Sequence, residues 1–405
     1  MITLRNASQE DCRMFWDWRN EQQARYVSFH PESVPWEEHV TWFRQNLNAA
    51  GVRMQVAIDS QHRPVGQVRY EIADGAATIS VSIASEWRAQ GIGSRLIRQS
   101  AIMLFATADV PLIRAYIRDI NTTSMHVFEK CGYQKSGRTL VHSLPSSEYI
   151  LHRPTNQRIA ISQPTYLPWI GYLDQIDSVD TFVLLDNVQF EKQTWQQRNR
   201  IKTPAGLQWL SVPVIFKGRF GQQINEVEIR EDFAAKHLRA IELNYRRARY
   251  FEQYFPALSA LLQRFAPGMR LADLSSEVID WLMEVFGIHS SIIRESSLPC
   301  EGKRSSLLVN ICKRLDATEY LAAPGSADYL LADLHLFSQE RISLSFHNYN
   351  FPQYTQCFPP FIPYACALDL LFNEGPRAID ILRSGHQCHI SAEQKRKIMN
   401  QEASV

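Results

Sequence analysis

The sequence predicts an α/β protein of two domains, a mixed-sheet α/β domain followed by a mostly helical α+β domain. Strand-like and helix-like segments alternate through residues 1–153, whereas apolar residues after Asp232 recur at helical spacing. Between these regions the polar stretch 152–157, which contains Pro154, interrupts both patterns. A chain of 405 residues is also long for a single domain, since domains average roughly 100–200 residues. We therefore predict domains at residues 1–153 and 158–405.

The elements of the first domain follow from its hydrophobic periodicity. The run Ala77-Thr78-Ile79-Ser80-Val81-Ser82-Ile83 alternates with a period of two, which places Ile79, Val81 and Ile83 on one face of a strand. The predicted strands are 2–5, 54–58, 65–72, 78–83, 113–117, 133–140 and 148–151, and the predicted helices are 9–20, 36–47, 93–105 and 122–131.

The second domain combines short strands with long loops that are rich in Pro, Trp and Tyr. Strands are predicted at 159–161, 182–185 and 209–212. Helical spacing begins with Phe233, Leu238 and Ile241 and continues through residues 271–285. We expect a largely helical domain around a small sheet.

Charge and composition exclude several classes of partner. The 43 basic side chains nearly balance the 42 acidic ones, so the chain lacks the strong positive field of a duplex-binding protein, and we expect no nucleic-acid partner. No apolar run approaches the roughly 18 residues of a membrane span, and an acidic pair stands where a signal peptide would be apolar. These features predict a cytoplasmic protein without a membrane span; its oligomeric state is left open.

The cysteines are odd in number and scattered, with no CxxC pair and no histidine at metal-ligand spacing. We expect reduced, mostly buried thiols and no bound metal. The seven are Cys12, Cys131, Cys300, Cys312, Cys357, Cys366 and Cys388.

A glycine turn follows the alternating strand and leads into an amphipathic helix. Gly91 and Gly93 allow the backbone to fold tightly, and the amides of the new helix N-terminus can then face an anion such as pyrophosphate. A tight turn that binds no ligand is the alternative interpretation of this segment taken alone.

Two segments carry a family resemblance. Residues 88–93 (RAQGIG) resemble the (Q/R)xxGx(G/A) signature of the GCN5-related N-acetyltransferase (GNAT) superfamily, and residues 121–133 resemble its NxxAxxxYxxxGF element. The resemblance covers residues 1–153 and implies a GNAT fold that binds acyl-CoA as co-substrate. The implied CoA-binding residues are Val81, Ile83, Arg88, Gln90, Gly91, Ile92, Gly93, Ser94, Asn121, Ser124 and Phe128.

One departure from the family pattern concerns proton transfer. Many members have a tyrosine that protonates the leaving thiolate at the position of Phe128, which has no proton to give, so this role is absent or falls to Ser124 or Tyr133. The attacking amine must also lose a proton, and the candidate bases are Glu71 and His39. An exposed strand-end carboxylate and a helix-surface histidine are the simpler interpretations of these two.

The first 43 residues are similar to the acceptor-side helices of bacterial enzymes that acetylate amino groups on nucleotide-linked sugars. Their Trp and Phe residues at helical spacing are also consistent with core packing. Charged residues are harder to assign to a core, because a buried charge without a partner is costly. We therefore predict that Arg19, Asn20 and Arg25 bind substrate.

The second domain concentrates aromatic and basic residues in segments 161–172, 185–192 and 194–202. Aromatic faces for a base and cationic groups for a diphosphate suit a nucleotide-sugar pocket. Single-stranded nucleic acid and simple ordering of the loops are the alternatives. The candidate residues are Gln163, Tyr166, Trp169, Tyr172, Asp186, Gln189, Lys192, Arg198, Asn199, Arg200 and Lys202.

These segments closely resemble the WbqC-like family of bacterial polysaccharide and O-antigen biosynthesis, from residue 158 to about 382. A further match at 303–308 adds Lys303 and Ser305 as substrate-binding candidates. The combination resembles the FdhC-type two-domain sugar N-acyltransferases. It implies direct transfer of an acyl group, such as 3-hydroxybutyryl or acetyl, from acyl-CoA to the amine of a dTDP-linked 3-amino-3,6-dideoxyhexose for lipopolysaccharide synthesis. A bifunctional protein with an independent WbqC-like transferase and a non-catalytic CoA-binding scaffold are the rival interpretations.

Overall fold

The computed structural model describes residues 2–402, which divide into two compact units with the boundary after Thr155. We call them the N-terminal and C-terminal domains. Among the helices described, none has both the length and the hydropathy needed to cross a bilayer.

The N-terminal domain is a mixed sheet covered by helices, as predicted. Helix α2 was not predicted, and the predicted helix 9–20 begins with a 3-10 turn at Gln9–Asp11. The strands are β1 Thr3–Asn6, β2 Val52–Ile58, β3 Pro64–Ala73, β4 Ala76–Ile83, β5 Leu112–Arg118, β6 Gln134–Val141 and β7 Leu144–His152, and the helices are α1 Cys12–Asn20, α2 Gln22–Val27, α3 Trp36–Leu47, α4 Ile92–Thr107 and α5 Thr122–Lys130.

The seven strands have the order β1-β2-β3-β4-β5-β7-β6, and β4 and β5 form the parallel pair. Their ladder contains only the pairs Ala77–Ile113 and Thr78–Arg114, although both strands continue beyond it. The two strands therefore diverge toward their carboxyl ends. This leaves the backbone groups of residues 79–83 without partners from β5.

The C-terminal domain combines a mixed sheet with helices, also as predicted. Its strands are β8 Gln157–Ser162, β9 Thr181–Leu184, β10 Arg198–Thr203, β11 Gly206–Ser211, β12 Val214–Ile215, β13 Glu228–Ile229, β14 Ser291–Arg294, β15 Ala317–Ala322, β16 Ser343–Phe346 and β17 Ile390–Ser391. Its helices are α6 Ile170–Asp177, α7 Ala234–Tyr245, α8 Phe251–Gln263, α9 Leu271–Phe286, α10 Ser305–Arg314, α11 Ala327–Ala332, α12 Leu334–Gln339, α13 Ala367–Glu374, α14 Ala378–Ser384 and α15 Ala392–Glu402.

The main sheet of this domain has the order β14-β9-β8-β15-β16-β17, and the first five strands are parallel. The chain runs from β8 outward through β9 to β14, and it then returns to the other side of β8 with β15 and β16. The winding direction therefore reverses between β8 and β15. In open α/β sheets, ligands bind outside the carboxyl ends of the strands at such a switch point.

Candidate functional site

The turn between β4 and α4 has the geometry of an anion seat. Gly91 has a φ of 75° and precedes the first residue of α4, Ile92. A Cβ at Gly91 would meet no atom within 4 Å, so the left-handed backbone alone selects glycine there. The first amides of α4 have no carbonyl partners within the helix and carry the positive end of its dipole. Gly93 and Ser94 are half-buried in this first turn.

The predicted side chains of the turn are engaged within the domain. Arg88 donates from Nε to Ile83 O at 3.0 Å and from Nη1 to Gln23 Oε1 at 2.9 Å, and its Nη2 pairs with Glu21. Gln90 Nε2 donates to Glu86 O at 2.7 Å. These side chains hold the turn in shape, so the backbone amides remain as the donors for an anion. Val81 and Ile83 are half-buried in the part of β4 that pairs with β3 but has no partner in β5.

Helix α5 forms the other side of this region. Asn121 caps it, with Oδ1 accepting the Ser124 N–H at 3.2 Å. Phe128 is buried and packs edge-on against Tyr133 with 4.9 Å between ring centroids. Tyr133 is itself in the core, its hydroxyl has no hydrogen-bond partner, and burial raises its pKa well above 10. A group placed there holds its proton tightly and does not meet solvent.

The two candidate bases occupy contrasting environments. His39 is 3% exposed, and its Nε2 donates to Cys12 O at 3.1 Å, which ties α3 to α1. Desolvation lowers the pKa of His39, although the bond to Cys12 opposes that effect, so the ring is neutral near pH 7. Glu71 is exposed and pairs with Arg69 at 2.9 Å. Of the two, Glu71 is the one that solvent can reach.

Arginines gather beside the loop that follows α2. Arg19 donates to His30 O, and Arg118 donates to Tyr26 O at 2.7 Å and to Ser28 O at 2.9 Å. Asn20 accepts the Val34 N–H at 2.8 Å and so anchors the end of the loop. These contacts fix the path of residues 26–34.

Part of this positive charge is not compensated. Within the described part of the chain, Arg19 Nη1 and Arg25 Nε are enclosed without a hydrogen-bond partner, and neither residue pairs with a carboxylate. Burial, and then the neighbouring charge of Arg25, lower the pKa of Arg19. Two nearby guanidinium groups without an acid favour an anionic guest at this place.

In the C-terminal domain, the predicted aromatic residues are occupied by the protein itself. Tyr166 is fully buried, with its hydroxyl 2.9 Å from His237 Nδ1. Tyr172 is also buried and donates to Gln163 O at 3.0 Å. Trp169 lies parallel to Phe351, with 6.2 Å between ring centroids. These rings build the domain core and its margin.

Several predicted polar residues are buried as well. Asp186 is completely enclosed, pairs with Arg294 Nε at 2.5 Å, and accepts bonds from Ser296 N and Oγ at 2.9 and 2.8 Å. Lys202 is 1% exposed and donates to Thr203 O at 3.0 Å. Asn199 is also buried. The sequence did not point to Arg294, which also pairs with Asp273.

The remaining predicted residues are exposed or stand at a helix start. Gln189 and Lys192 are exposed, and Lys192 Nζ lies 4.0 Å from the centroid of the Phe216 ring. Lys303 is exposed just before α10. Ser305, the first residue of α10, is buried, and its Oγ has no partner.

Arg198 and Arg200 lie on the open face of the hairpin that β10 and β11 form. Arg200 is directly opposite Trp209 in the register. The guanidinium of Arg198 lies 4.2 Å from the Trp209 ring, and that of Arg200 lies 5.4 Å from Trp209 and 5.3 Å from Trp195. Both tryptophans are exposed, at 46% for Trp195 and 41% for Trp209. We call these four residues the hairpin patch.

Comparison with known proteins assigns both domains. Residues 163–381, more than half of the chain, match the WbqC-like protein family. A Mycobacterium tuberculosis relative, the uncharacterised protein Rv1507c, is 35% identical over 229 residues, which is 56% of this chain and 98% of that protein. The chain belongs to the WbqC-like family.

Residues 1–134 match the acetyltransferase (GNAT) domain, so this WbqC-like protein carries a GNAT acetyltransferase domain at its N-terminus, as predicted. Solved structures similar to the GNAT domain include the Vibrio cholerae spermidine N-acetyltransferase with CoA and spermine (19% identity, 37% of this chain, 95% of that chain, TM-score 0.35). Another is the aminoglycoside acetyltransferase AAC(6')-Ib with coenzyme A (17% identity, 38% of this chain, 95% of that chain, TM-score 0.33).

Besides Arg294, the candidate residues of this WbqC-like protein did not include Arg118, Trp195 or Trp209. Arg118 ends β5 and bonds to residues 26 and 28, a contact that joins residues about 90 positions apart. Trp209 joins the hairpin patch only through the β10–β11 register. The period-two spacing of Arg198 and Arg200 was the one local signal that these two arginines share a face.

Proposed function

We propose that this protein is an N-acyltransferase that moves an acyl group from acyl-CoA to the amino group of a nucleotide-linked amino sugar. The GNAT domain binds the thioester, and the WbqC-like domain binds the nucleotide. The observation that carries the proposal is the uncompensated charge of Arg19 and Arg25 beside the loop of residues 26–34. A polycationic acceptor would be repelled there, whereas an acceptor that carries negative charge would be attracted.

The family assignment and the backbone geometry support acyl-CoA as the donor. The amides at the start of α4 can accept the pyrophosphate, with Gly91 providing the turn. The unpaired edge of β4 near Val81 and Ile83 can hydrogen-bond the pantetheine amides, because β5 has diverged from it. Both contacts use main-chain groups, so they do not depend on Arg88 or Gln90.

The chemistry that we propose is direct attack. The neutral amine adds to the thioester carbonyl, the C–N bond forms, the C–S bond breaks, and CoA leaves as the thiolate. The amine proton passes to Glu71 or to water, since His39 and Tyr133 lie inside the domain. With no accessible acid at Phe128, the rate rests on orientation of the two substrates. Acetyl and 3-hydroxybutyryl are the candidate acyl groups, and a dTDP-3-amino-3,6-dideoxyhexose for surface polysaccharide is the candidate acceptor.

The test is release of CoA thiol from the full-length protein, followed with a thiol-reactive dye. Acetyl-CoA and 3-hydroxybutyryl-CoA are paired with a panel of dTDP-amino sugars, spermidine and an aminoglycoside. We expect turnover with an amino-sugar nucleotide and an amide product of the corresponding mass. Turnover confined to spermidine or the aminoglycoside, or no thiol release with any acceptor, would contradict the proposal.

A further inference from the structure

The hairpin patch consists of Arg198, Arg200 and Trp209 on the open face of the β10–β11 hairpin, together with Trp195 from the loop before β10. Each guanidinium lies against an indole ring, an arrangement that restricts the arginine before any ligand arrives. A ligand that meets these arginines therefore loses less side-chain entropy on binding than it would with free ones.

The charge of the patch is not balanced by the protein. Across residues 2–402, neither Arg198 nor Arg200 pairs with a carboxylate, and the Nε atom of each is enclosed without a hydrogen-bond acceptor. Elsewhere in the same domain an enclosed arginine is fully paired, since Arg294 contacts both Asp186 and Asp273. Two adjacent guanidinium groups without an acid partner among the described residues suit an anion of about the size of a diphosphate.

The loop that carries Trp195 contacts the segment that follows the carboxyl end of β8. Gln196 donates from Nε2 to Gln163 Oε1 at 2.9 Å, and Trp195 O accepts the Tyr166 N–H at 3.2 Å. Gln163 is the first residue after β8, the strand at which the winding of the sheet reverses. The loop that carries Trp195 therefore begins at the ligand-binding edge of the sheet.

We infer that the hairpin patch binds a nucleoside diphosphate group, with the diphosphate on the Nη atoms of Arg198 and Arg200 and the base on an exposed tryptophan ring. The inference rests on the proposed function, because it takes a nucleotide-linked sugar as the ligand. It assigns stacking on the base to Trp195 and Trp209, whose rings are exposed. Tyr166, Trp169 and Tyr172, which the sequence suggested for this role, are packed within the domain.

The size of the patch argues for one nucleotide rather than a nucleic-acid strand. A strand needs a basic groove that follows several phosphates with successive stacking rings. Here two arginines and two tryptophans form one cluster in a chain with a net charge of +1. A strand would need cationic contacts beyond these two arginines to bind more tightly than a single nucleotide. The test therefore compares an oligonucleotide with dTDP.

The experiment is titration of the full-length protein with dTDP, followed by calorimetry and by tryptophan fluorescence. Arg198→Gln, Arg200→Gln and Trp209→Leu are compared with Arg239→Gln, which alters an exposed arginine of α7. We expect each arginine variant to weaken dTDP binding about tenfold or more, Trp209→Leu to weaken it about fivefold or more, and Arg239→Gln to bind like wild type. Inorganic pyrophosphate should bind more weakly than dTDP and should lose that binding in Arg200→Gln.

Unchanged dTDP affinity in both arginine variants, with unfolding temperatures like that of wild type, would overturn the inference. Oligothymidylate that binds more tightly than dTDP would also overturn it. Arg200→Lys guards against misfolding, because it keeps the charge and should recover part of the affinity. The thiol-release assay separates the two proposals. If Arg200→Gln turns over with an unchanged KM for the sugar nucleotide, the acyltransferase proposal stands and the inference about the patch is wrong. If dTDP binding depends on the patch but no acceptor is acylated, the inference about the patch stands and the acyltransferase proposal is wrong.

Discussion

The two domains offer positive charge to an anion by different means. In the GNAT domain the donors are main-chain amides at the start of α4, and the nearby side chains of Arg88 and Gln90 are bonded to protein groups. In the WbqC-like domain the donors are guanidinium groups held against tryptophan rings. The first site depends on backbone conformation and the second on side-chain identity, so different substitutions should disable them.

A second contrast lies within the WbqC-like domain, between enclosed and open charges. Asp186 and Arg294 satisfy one another inside the domain, whereas Arg198 and Arg200 face outward without an acid. The sequence placed Asp186 and the two arginines together in one ligand site. In the structure Asp186 forms a stabilising ion pair inside the domain, whereas the two arginines remain available to a ligand.

Asp186→Ala should have the largest effect, which should be a loss of free energy of unfolding. It leaves Arg294 enclosed with one carboxylate instead of two, and it removes the acceptor of the Ser296 bonds. Breaking a buried ion pair in this way costs about 3–5 kcal/mol. Urea unfolding of the full-length protein measures the loss. The comparison is Arg198→Gln, at a half-buried arginine without an acid partner among the described residues, which should change stability by less than about 0.5 kcal/mol. Equal losses of stability in the two variants would contradict the contrast between the enclosed Asp186 and the unpaired Arg198.

Gly91→Val should be next, and its effect should fall on acyl-CoA. A β-branched residue at φ 75° is strained by about 1–2 kcal/mol, and relief of that strain moves the amides of the first turn of α4. We expect kcat/KM for acyl-CoA to fall about 100-fold. Gly137→Val is the matched control, because Gly137 lies outside the left-handed region and has open space around its Cβ position. Wild-type kinetics in Gly91→Val would show that the turn does not seat the pyrophosphate.

Glu295 should make stability depend on pH. Desolvation, and then the nearby Asp186 carboxylate, raise its pKa to about 7 in the folded protein. Between about pH 4.5 and pH 7, Glu295 therefore keeps a proton in the folded state that it has already released in the unfolded state. The stabilisation is complete below the unfolded pKa near 4.5, and it is lost as the pH rises through about 7. Glu295→Gln should remove this trend, seen as a flatter melting temperature between pH 5 and 8. An equally steep trend in the variant would assign it to other groups.

The parts of the molecule that local pattern determines were predictable. The predicted helix 36–47 coincides with α3, and the glycine turn lies between a strand and a helix, because both depend on periodicity over a few neighbouring residues. The parallel sheet was only partly predictable. A strand such as Thr181–Leu184 is buried on both faces and therefore lacks the alternation that marks a half-exposed strand.

The site residues divide along the same line. Tyr166 and Trp169 sit among prolines and polar residues in the sequence, a composition that suits a pocket and a packed loop equally well. Their burial depends on distant partners, such as His237 for Tyr166 and Phe351 for Trp169. The contact of Arg200 with Trp209 likewise depends on strand register, which composition does not reveal.

Arg25→Gln should have the smallest effect, and it tests whether the GNAT domain also uses a side chain for its anionic guest. Among the described residues Arg25 has no acid partner, so its removal should leave stability unchanged and should raise KM for the amino-sugar nucleotide about fivefold, or about 1 kcal/mol. KM for acyl-CoA should stay the same, because we propose that main-chain amides hold the donor. Arg138→Gln, on the exposed face of β6, is the control. A rise in KM for acyl-CoA instead would move Arg25 to the donor side.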